Sequence, residues 1–144
     1  VTPEERKDLV RRTITAIINE GDVDACADMY ASRCTFHYPN FSVEGVDGYR
    51  QFMRDMRQAN PDLHCDIHDI LVDGDLLAAR WTMGGTAHGE FRGIPGTGKS
   101  WVISGMQLLK WDDDRVVEEW GSFDLFGQLQ QLGVIPEIAE EQQR

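Results

Sequence analysis

Of the 25 Asp and Glu residues in this 144-residue chain, only a few stand where they could move a proton during a reaction. Glu118 and Glu119 fall in Val116–Phe123, which alternates like a strand, and Asp124 follows directly. Strand alternation puts Val117, Glu119, Gly121 and Phe123 on one face, and Trp120, Ser122 and Asp124 on the other. A glutamate packed beside Trp101 and Ile103 would be desolvated, and desolvation raises a carboxyl pKa towards the range useful to a general base. The competing expectation turns Glu119 outward, or pairs it with Arg80 or Lys110. His37, beside Tyr38, and His88, beside a long loop, are candidate acids or hydrogen-bond donors; both also fit ordinary structural or rim positions. Asp124 fits either an acid–base role or the N-cap of a following helix.

Three other patterns promise chemistry and fail on spacing or context. Gly93-Ile94-Pro95-Gly96-Thr97-Gly98-Lys99-Ser100 matches the phosphate-loop expression GxxxxGK[ST]. That loop works by leading into a helix whose N-terminal N–H groups hold phosphate. Here Lys99-Ser100 leads into Trp101-Val102-Ile103, which is β-branched, aromatic and alternating. The segment is expected to be a hairpin loop whose glycines supply positive φ, and nucleotide binding is not expected. His64, Asp66 and His68 share one strand face, but the two histidines stand ~13 Å apart at strand rise. They cannot share a metal ion, so no metal is expected. Cys26, Cys34 and Cys65 are odd in number and lack CxxC spacing, which fits buried structural thiols rather than disulfides or zinc.

Composition narrows the class further. Fourteen Lys and Arg against 25 acids leave a formal net charge of −11, with 41% hydrophobic and 27% charged residues. Mean hydropathy is −0.41. These values describe one globular domain with a real core. No basic patch offers to neutralise nucleic-acid phosphates, and no apolar run approaches the ~18 residues of a membrane span. Thr2-Pro3-Glu4-Glu5 has neither the basic start nor the apolar stretch of a secretory signal, so a cytoplasmic location is expected. The acid excess gathers in Asp73 to Asp75, Asp112 to Asp114 and Glu137 to Glu141, positions expected to be solvated surface.

The elements that must position these residues change period near residue 62, from helical to strand, an order that predicts α+β. Thr2 with Glu5 makes a capping box, and Leu9, Val10, Thr13, Ile14, Ile17 and Ile18 form a helical stripe up to Gly21. A second, short helix is expected to carry Ala25, Cys26, Met29 and Tyr30. A brief strand spans 34–38, and a third helix from about Val46 bears Tyr49, Phe52, Met53 and Met56. Leu63, Cys65 and Ile67 then alternate with polar residues in a strand running to Val72. Asp73-Gly74-Asp75 is a hairpin turn, followed by a long strand from Leu76 to about Phe91. The next strand shows Trp101, Ile103, Gly105, Gln107, Leu109 and Trp111 on one face. Asp112-Asp113-Asp114 turns into the last strand, and a terminal helix carries Leu125, Phe126, Leu129 and Leu132. A curved antiparallel sheet wrapped over helices leaves a mouth suited to a ligand.

Trp81-Thr82, Gly85-Thr86-Ala87-His88-Gly89-Glu90-Phe91, the loop 93–99, Ser104-Gly105-Met106-Gln107, Glu118-Glu119-Trp120 and Asp124-Leu125-Phe126-Gly127 through Gln131-Leu132-Gly133 together carry a likeness. Phe36-His37-Tyr38-Pro39, Gly45-Val46-Asp47-Gly48-Tyr49 and Asn60-Pro61-Asp62-Leu63 extend it to nearly the whole chain. In order and spacing this resembles the SnoaL-like polyketide cyclase family of the nuclear transport factor 2-like superfamily. The resemblance implies a single domain over residues 1–144. Its fold would be a cone-shaped α+β barrel with a central apolar cavity, assembled as a homodimer or larger homo-oligomer. It also implies a small hydrophobic, carbonyl-bearing polyketide substrate and intramolecular aldol ring closure with no cofactor. A carboxylate removes a proton α to a carbonyl, and polar groups stabilise the enolate.

Gln107 matches the family's pocket glutamine. In the anthracycline cyclases the acid–base aspartate lies three residues before the position of Asp124, where this chain has Gly121, and a histidine stands at the position of Leu109. Glu119 and Asp124 are therefore the expected acid–base residues, with His37 and His88 as helpers and Gln107 orienting the substrate. Trp81, Trp120, Tyr38, Tyr49, Phe52, Met53, Trp101 and Ile103 are expected to line the substrate site. Tyr30 and Met56 could line it too, although a plain core role explains the helical stripe equally well. Two alternatives stay open: a hydroxylase or epoxide-opening branch of the same family, and a non-catalytic small-molecule binding protein.

Overall fold

The computed structural model describes residues 1–136, and the acidic segment Glu137 to Glu141 lies outside them. Helix α1 (Pro3–Ile14) starts as its sequence predicts. The Thr2 hydroxyl accepts from the Glu5 N–H at 3.1 Å, acids fill the first turn, and Arg11 and Arg12 fill the last. That charge order complements the helix dipole. The helix widens into a π-turn over Thr15–Asn19, burying Ile17 and Ile18, and the chain reverses at Gly21 with φ +77°. A 3₁₀ turn, Val23–Asp28, buries Val23 and Cys26.

Tyr30 opens a strand rather than closing a helix. Strand β1 (Tyr30–Tyr38) begins there because the backbone is already laddered: Tyr30 pairs with Val116, and the Val116 N–H donates to the Met29 carbonyl. Strand β2 (Phe41–Glu44), not anticipated from sequence, folds straight back on β1 around Pro39-Asn40. Helix α2 (Gly45–Ala59) buries Val46, Tyr49 and Met53. Strands β3 (His64–Asp73), β4 (Leu76–Thr86), β5 (Ser100–Asp112) and β6 (Arg115–Phe123) follow as a meander, and helix α3 (Leu125–Gln131) closes the described chain.

The six strands form one curved sheet in the order β2-β1-β6-β5-β4-β3. The expected cone-shaped α+β fold is present as an open sheet with β2 and β3 at its edges. One detail needs correction: the sheet is not wholly antiparallel, because β1 and β6 run parallel. The parallel pair follows from connectivity, since α2 and the whole meander intervene between the two strands and bring the chain back in the same sense.

Two details of the meander also differ from the simple alternation. In β3 the register slips between Ile67 and Asp69, so Ile67 and Ile70 both point inward while Leu71 stands 70% exposed. One extra residue at His68 makes this bulge and increases local twist. Strand β4 stops at Thr86 rather than near Phe91, because the N–H groups of His88 and Gly89 turn to the Ala59 carbonyl at the end of α2. All three cysteines are free and buried. No helix is long and apolar enough to cross a membrane among the described residues.

Candidate active site

The inner face of the sheet, roofed by α1, α2 and α3, encloses a cavity of about 260 Å³. Ile14 and Ile18 reach it from the first helix, and Tyr49, Phe52, Met53 and Met56 from α2. Trp81 and Met83 come from β4, Trp101, Ile103 and Gln107 from β5, and Glu119, Gly121 and Phe123 from β6. Leu125, Gln128 and Leu129 of α3 close one side. Phe41, Phe91, Arg92 and Ile94 shape the mouth, where the Arg92 guanidinium lies 3.8 Å from the centre of the Phe41 ring.

Glu119 is the acidic group in this apolar wall. It is 3% exposed, and both of its oxygens accept hydrogen bonds: from the Tyr30 hydroxyl at 2.6 Å and from the Tyr38 hydroxyl at 2.9 Å. Burial pushes its carboxyl up to about 7, although the two tyrosine hydroxyls pull in the opposite direction. Desolvation wins because no cation neutralises it. Arg80 pairs instead with Asp69 at 2.6 Å, and Lys110 sits opposite Glu118 in the ladder, on the other face. Burial, reinforced by the negative charge of Glu119, raises Tyr30, Tyr38 and Tyr49 well above the usual phenol value, so all three remain donors.

The aromatic packing that holds these donors is continuous. Tyr49 stacks on Phe36 at 4.3 Å, Tyr30 meets Phe36 edge-on at 4.8 Å, and Tyr38 stacks on Phe52 at 5.6 Å. Gly121 makes room for this cluster. A Cβ there would lie 2.9 Å from the Tyr38 ring. Gly105 does the same for Trp81, whose ring would stand 2.5 Å from a Cβ at that position. Trp101 Nε1 donates to Asn60 Oδ1 at 2.9 Å, whereas Trp81 Nε1 and Gln107 Nε2 are buried without any partner among the described residues.

The structure brings Glu119, Gln107, Trp81, Trp101, Ile103, Tyr38, Tyr49, Phe52 and Met53 to one cavity. Four expected residues stand elsewhere. His37 is adjacent to inward-facing Tyr38, so strand parity turns it outward, where its Nε2 lies 2.8 Å from Glu118 and its ring stacks on Trp120. Trp120 follows inward-facing Glu119 and by the same parity lies on the outer face, 38% exposed. His88 is exposed in the turn after β4, outside the cavity wall. Asp124 is exposed and caps α3, with Oδ1 accepting from the Gly127 N–H at 2.9 Å.

The helical spacing of Tyr30 with Ala25, Cys26 and Met29 hides it as a partner of Glu119. The alternation of Tyr30, Cys34, Phe36 and Tyr38 was the available signal. Sequence reasoning also misses Phe41, Phe91 and Arg92 at the mouth, which lie on loop segments with no periodicity. The GxxxxGKS segment ends in β5, since Ser100 pairs with Thr86, so no helix N-terminus follows it. Among the described residues no group of three His, Cys, Asp or Glu side chains is arranged to hold a metal ion.

An open cone with an aromatic cavity and a buried carboxylate defines a recognisable class. The SnoaL-like polyketide cyclase model matches residues 8–132, and the chain belongs to that family. Solved structures agree. TsrD from Streptomyces laurentii superposes with a TM-score of 0.84 at 26% identity, covering 94% of this chain and 99% of its own. AclR from Streptomyces galilaeus, a proposed hydroxylase, gives 0.83 at 26% identity over 96% and 87% of the two chains. IdmH from Streptomyces antibioticus, a proposed polyketide cyclase, gives 0.75 at 26% identity over 89% and 98%. No curated protein sequence matches the chain.

Proposed function

We propose that this protein is a cofactor-independent enzyme of polyketide cyclase type, acting on a small hydrophobic, carbonyl-bearing polyketide. Glu119 is its general base. In its ionised form the carboxylate takes the proton α to a substrate carbonyl, and the C–H electron pair moves onto the carbonyl oxygen as an enolate. The enolate carbon attacks a second carbonyl of the same molecule, forming the ring C–C bond. The resulting alkoxide recovers the proton from Glu119, so the enzyme ends as it began. The buried carboxylate carries this reading: an acid poised near 7 in a water-poor aromatic wall suits proton transfer at neutral pH. Tyr30 and Tyr38 fix its orientation.

Glu119→Gln tests the assignment, because it keeps the shape and one acceptor oxygen, puts an NH2 donor in place of the other, and cannot accept the proton. Turnover of the substrate should fall by about 10²–10⁴-fold with the fold intact. Undiminished turnover would reject Glu119 as the base. A second reading, hydroxylation or epoxide opening of a polyketide, is favoured by Gly121 in place of the anthracycline cyclases' aspartate and by the likeness to AclR. Oxygen-dependent product formation with a reductase would establish hydroxylation. Ligand binding without chemical change would establish a binding protein instead. We also propose a homodimer formed through the outer sheet face, where Val102, Met106 and Trp120 are exposed.

A further inference from the structure

We propose that Trp81 Nε1 and Gln107 Nε2 are paired donors for one carbonyl oxygen of the ligand, making Trp81 a substrate-binding residue through its N–H as well as its ring. Both nitrogens are buried and lack any acceptor among the described residues, yet both side chains line the cavity. A buried N–H with no partner is destabilising, because it gave up water without gaining an acceptor. Both side chains line the cavity, so an acceptor entering it is the partner within reach of these nitrogens after a small side-chain adjustment.

The sheet register brings the pair together. Trp81 lies directly opposite Gly105 on β5, and Gln107 is the next inward residue along that strand. The two are diagonal cross-strand neighbours, within reach of an indole and a long amide. Gly105 is what lets the indole lie down on β5. On the far side of Gln107, Gly121 is its direct partner and Glu119 the next inward residue of β6. Three adjacent strands thus present donor, donor and carboxylate in sequence across one surface. An oxygen held by the first two would place its α-carbon towards the third. This inference takes from the preceding proposal only the identity of Glu119 as the base; the binding claim does not require it. The ligand class it selects is an aryl or cyclic ketone rather than a hydrocarbon of equal shape.

The chain's four tryptophans provide the test. Trp101 Nε1 is already bonded to Asn60, Trp111 lies outside the cavity wall, and Trp120 is on the outer face. In ¹⁵N-labelled full-length protein, titration with 1-tetralone should move the Trp81 indole N–H resonance downfield. Tetralin, the matching hydrocarbon, should leave that hydrogen-bond shift absent. The same response is expected in Glu119→Gln, so a failure of the base assignment would be seen separately from a failure here. Gln107→Met should weaken 1-tetralone binding ~10-fold while leaving tetralin unchanged. Trp81→Phe, which removes ring surface as well, should narrow the preference for 1-tetralone over tetralin, and the wild-type resonance decides the matter should that variant misfold. An unmoved Trp81 N–H, equal affinity for ketone and hydrocarbon, or no 1-tetralone binding at millimolar concentration would each overturn the proposal.

Discussion

Gly121 and Tyr38 are complementary: the ring of Tyr38 fills the space in which a side chain at 121 would begin, 2.9 Å from a would-be Cβ. The glycine therefore permits the Tyr38 hydroxyl to reach Glu119. A side chain at position 121 and a tyrosine bonded to Glu119 compete for one volume.

Gly121→Ala should displace the Tyr38 ring and deprive Glu119 of a donor to its charged form. Its carboxyl should then titrate above about 7, and Tyr38→Phe should shift it in the same direction. Carbonyl-labelled NMR of Glu119 in each variant checks this. Combining the two changes should add little to either alone, because both remove one hydrogen bond.

Activity and stability should respond to pH in opposite senses. In the proposed mechanism Glu119 works when ionised, so kcat/KM should rise with pH and reach half its plateau near 7. Folding, by contrast, favours the protonated carboxyl, since the folded pKa is raised above the ordinary 4.5. Stability from this group is full below about 4.5 and declines as pH climbs through about 7, by something on the order of 3 kcal/mol. Urea unfolding of wild type and Glu119→Gln at several pH values should show the wild type losing ground to the variant as pH rises.

Asp124 should reveal itself as a cap. Asp124→Ala removes the acceptor for the Gly127 N–H and should cost about 1 kcal/mol, whereas Asp124→Asn should retain most of it. Thermal unfolding distinguishes them. Because α3 supplies Leu125, Gln128 and Leu129 to the cavity wall, the alanine variant should also bind 1-tetralone more weakly.

Sedimentation should give twice the 16.3 kDa chain mass. Charges introduced on the outer face, Val102→Glu with Met106→Glu, should return a monomer. A wild-type particle of chain mass at working concentration would reject the dimer.

Much of this was legible from residue order because it is local. Thr2 and Asp124 cap helices in place, Gly74 and Asp113 take positive φ in hairpin turns, and the parity of 117–123 groups Glu119 with Gly121 and Phe123 on one face. What escaped depends on contacts between distant segments. Tyr30 reads as helical until Val116 supplies its ladder partner. The outward turn of His37 follows from Tyr38 facing in, which no composition rule states. The slip at His68 leaves no mark in an apolar run that continues through Ile70, Leu71 and Val72. Phe91 and Arg92 reach the mouth only because the loop is tied to the end of α2.

The single parallel pairing, β1 beside β6, has a consequence for biosynthesis. Glu119 and Tyr30 are 89 residues apart in the chain, with α2 and four strands made between them. Ordering that follows local contacts first leaves this pairing late. Until β6 is made, β1–β2 and β3–β5 have no strand to join them, and Tyr30 and Tyr38 have no Glu119 to bond. Chemical competence would therefore be acquired in one step, when the last strand docks, and a truncated product would be inert rather than promiscuous.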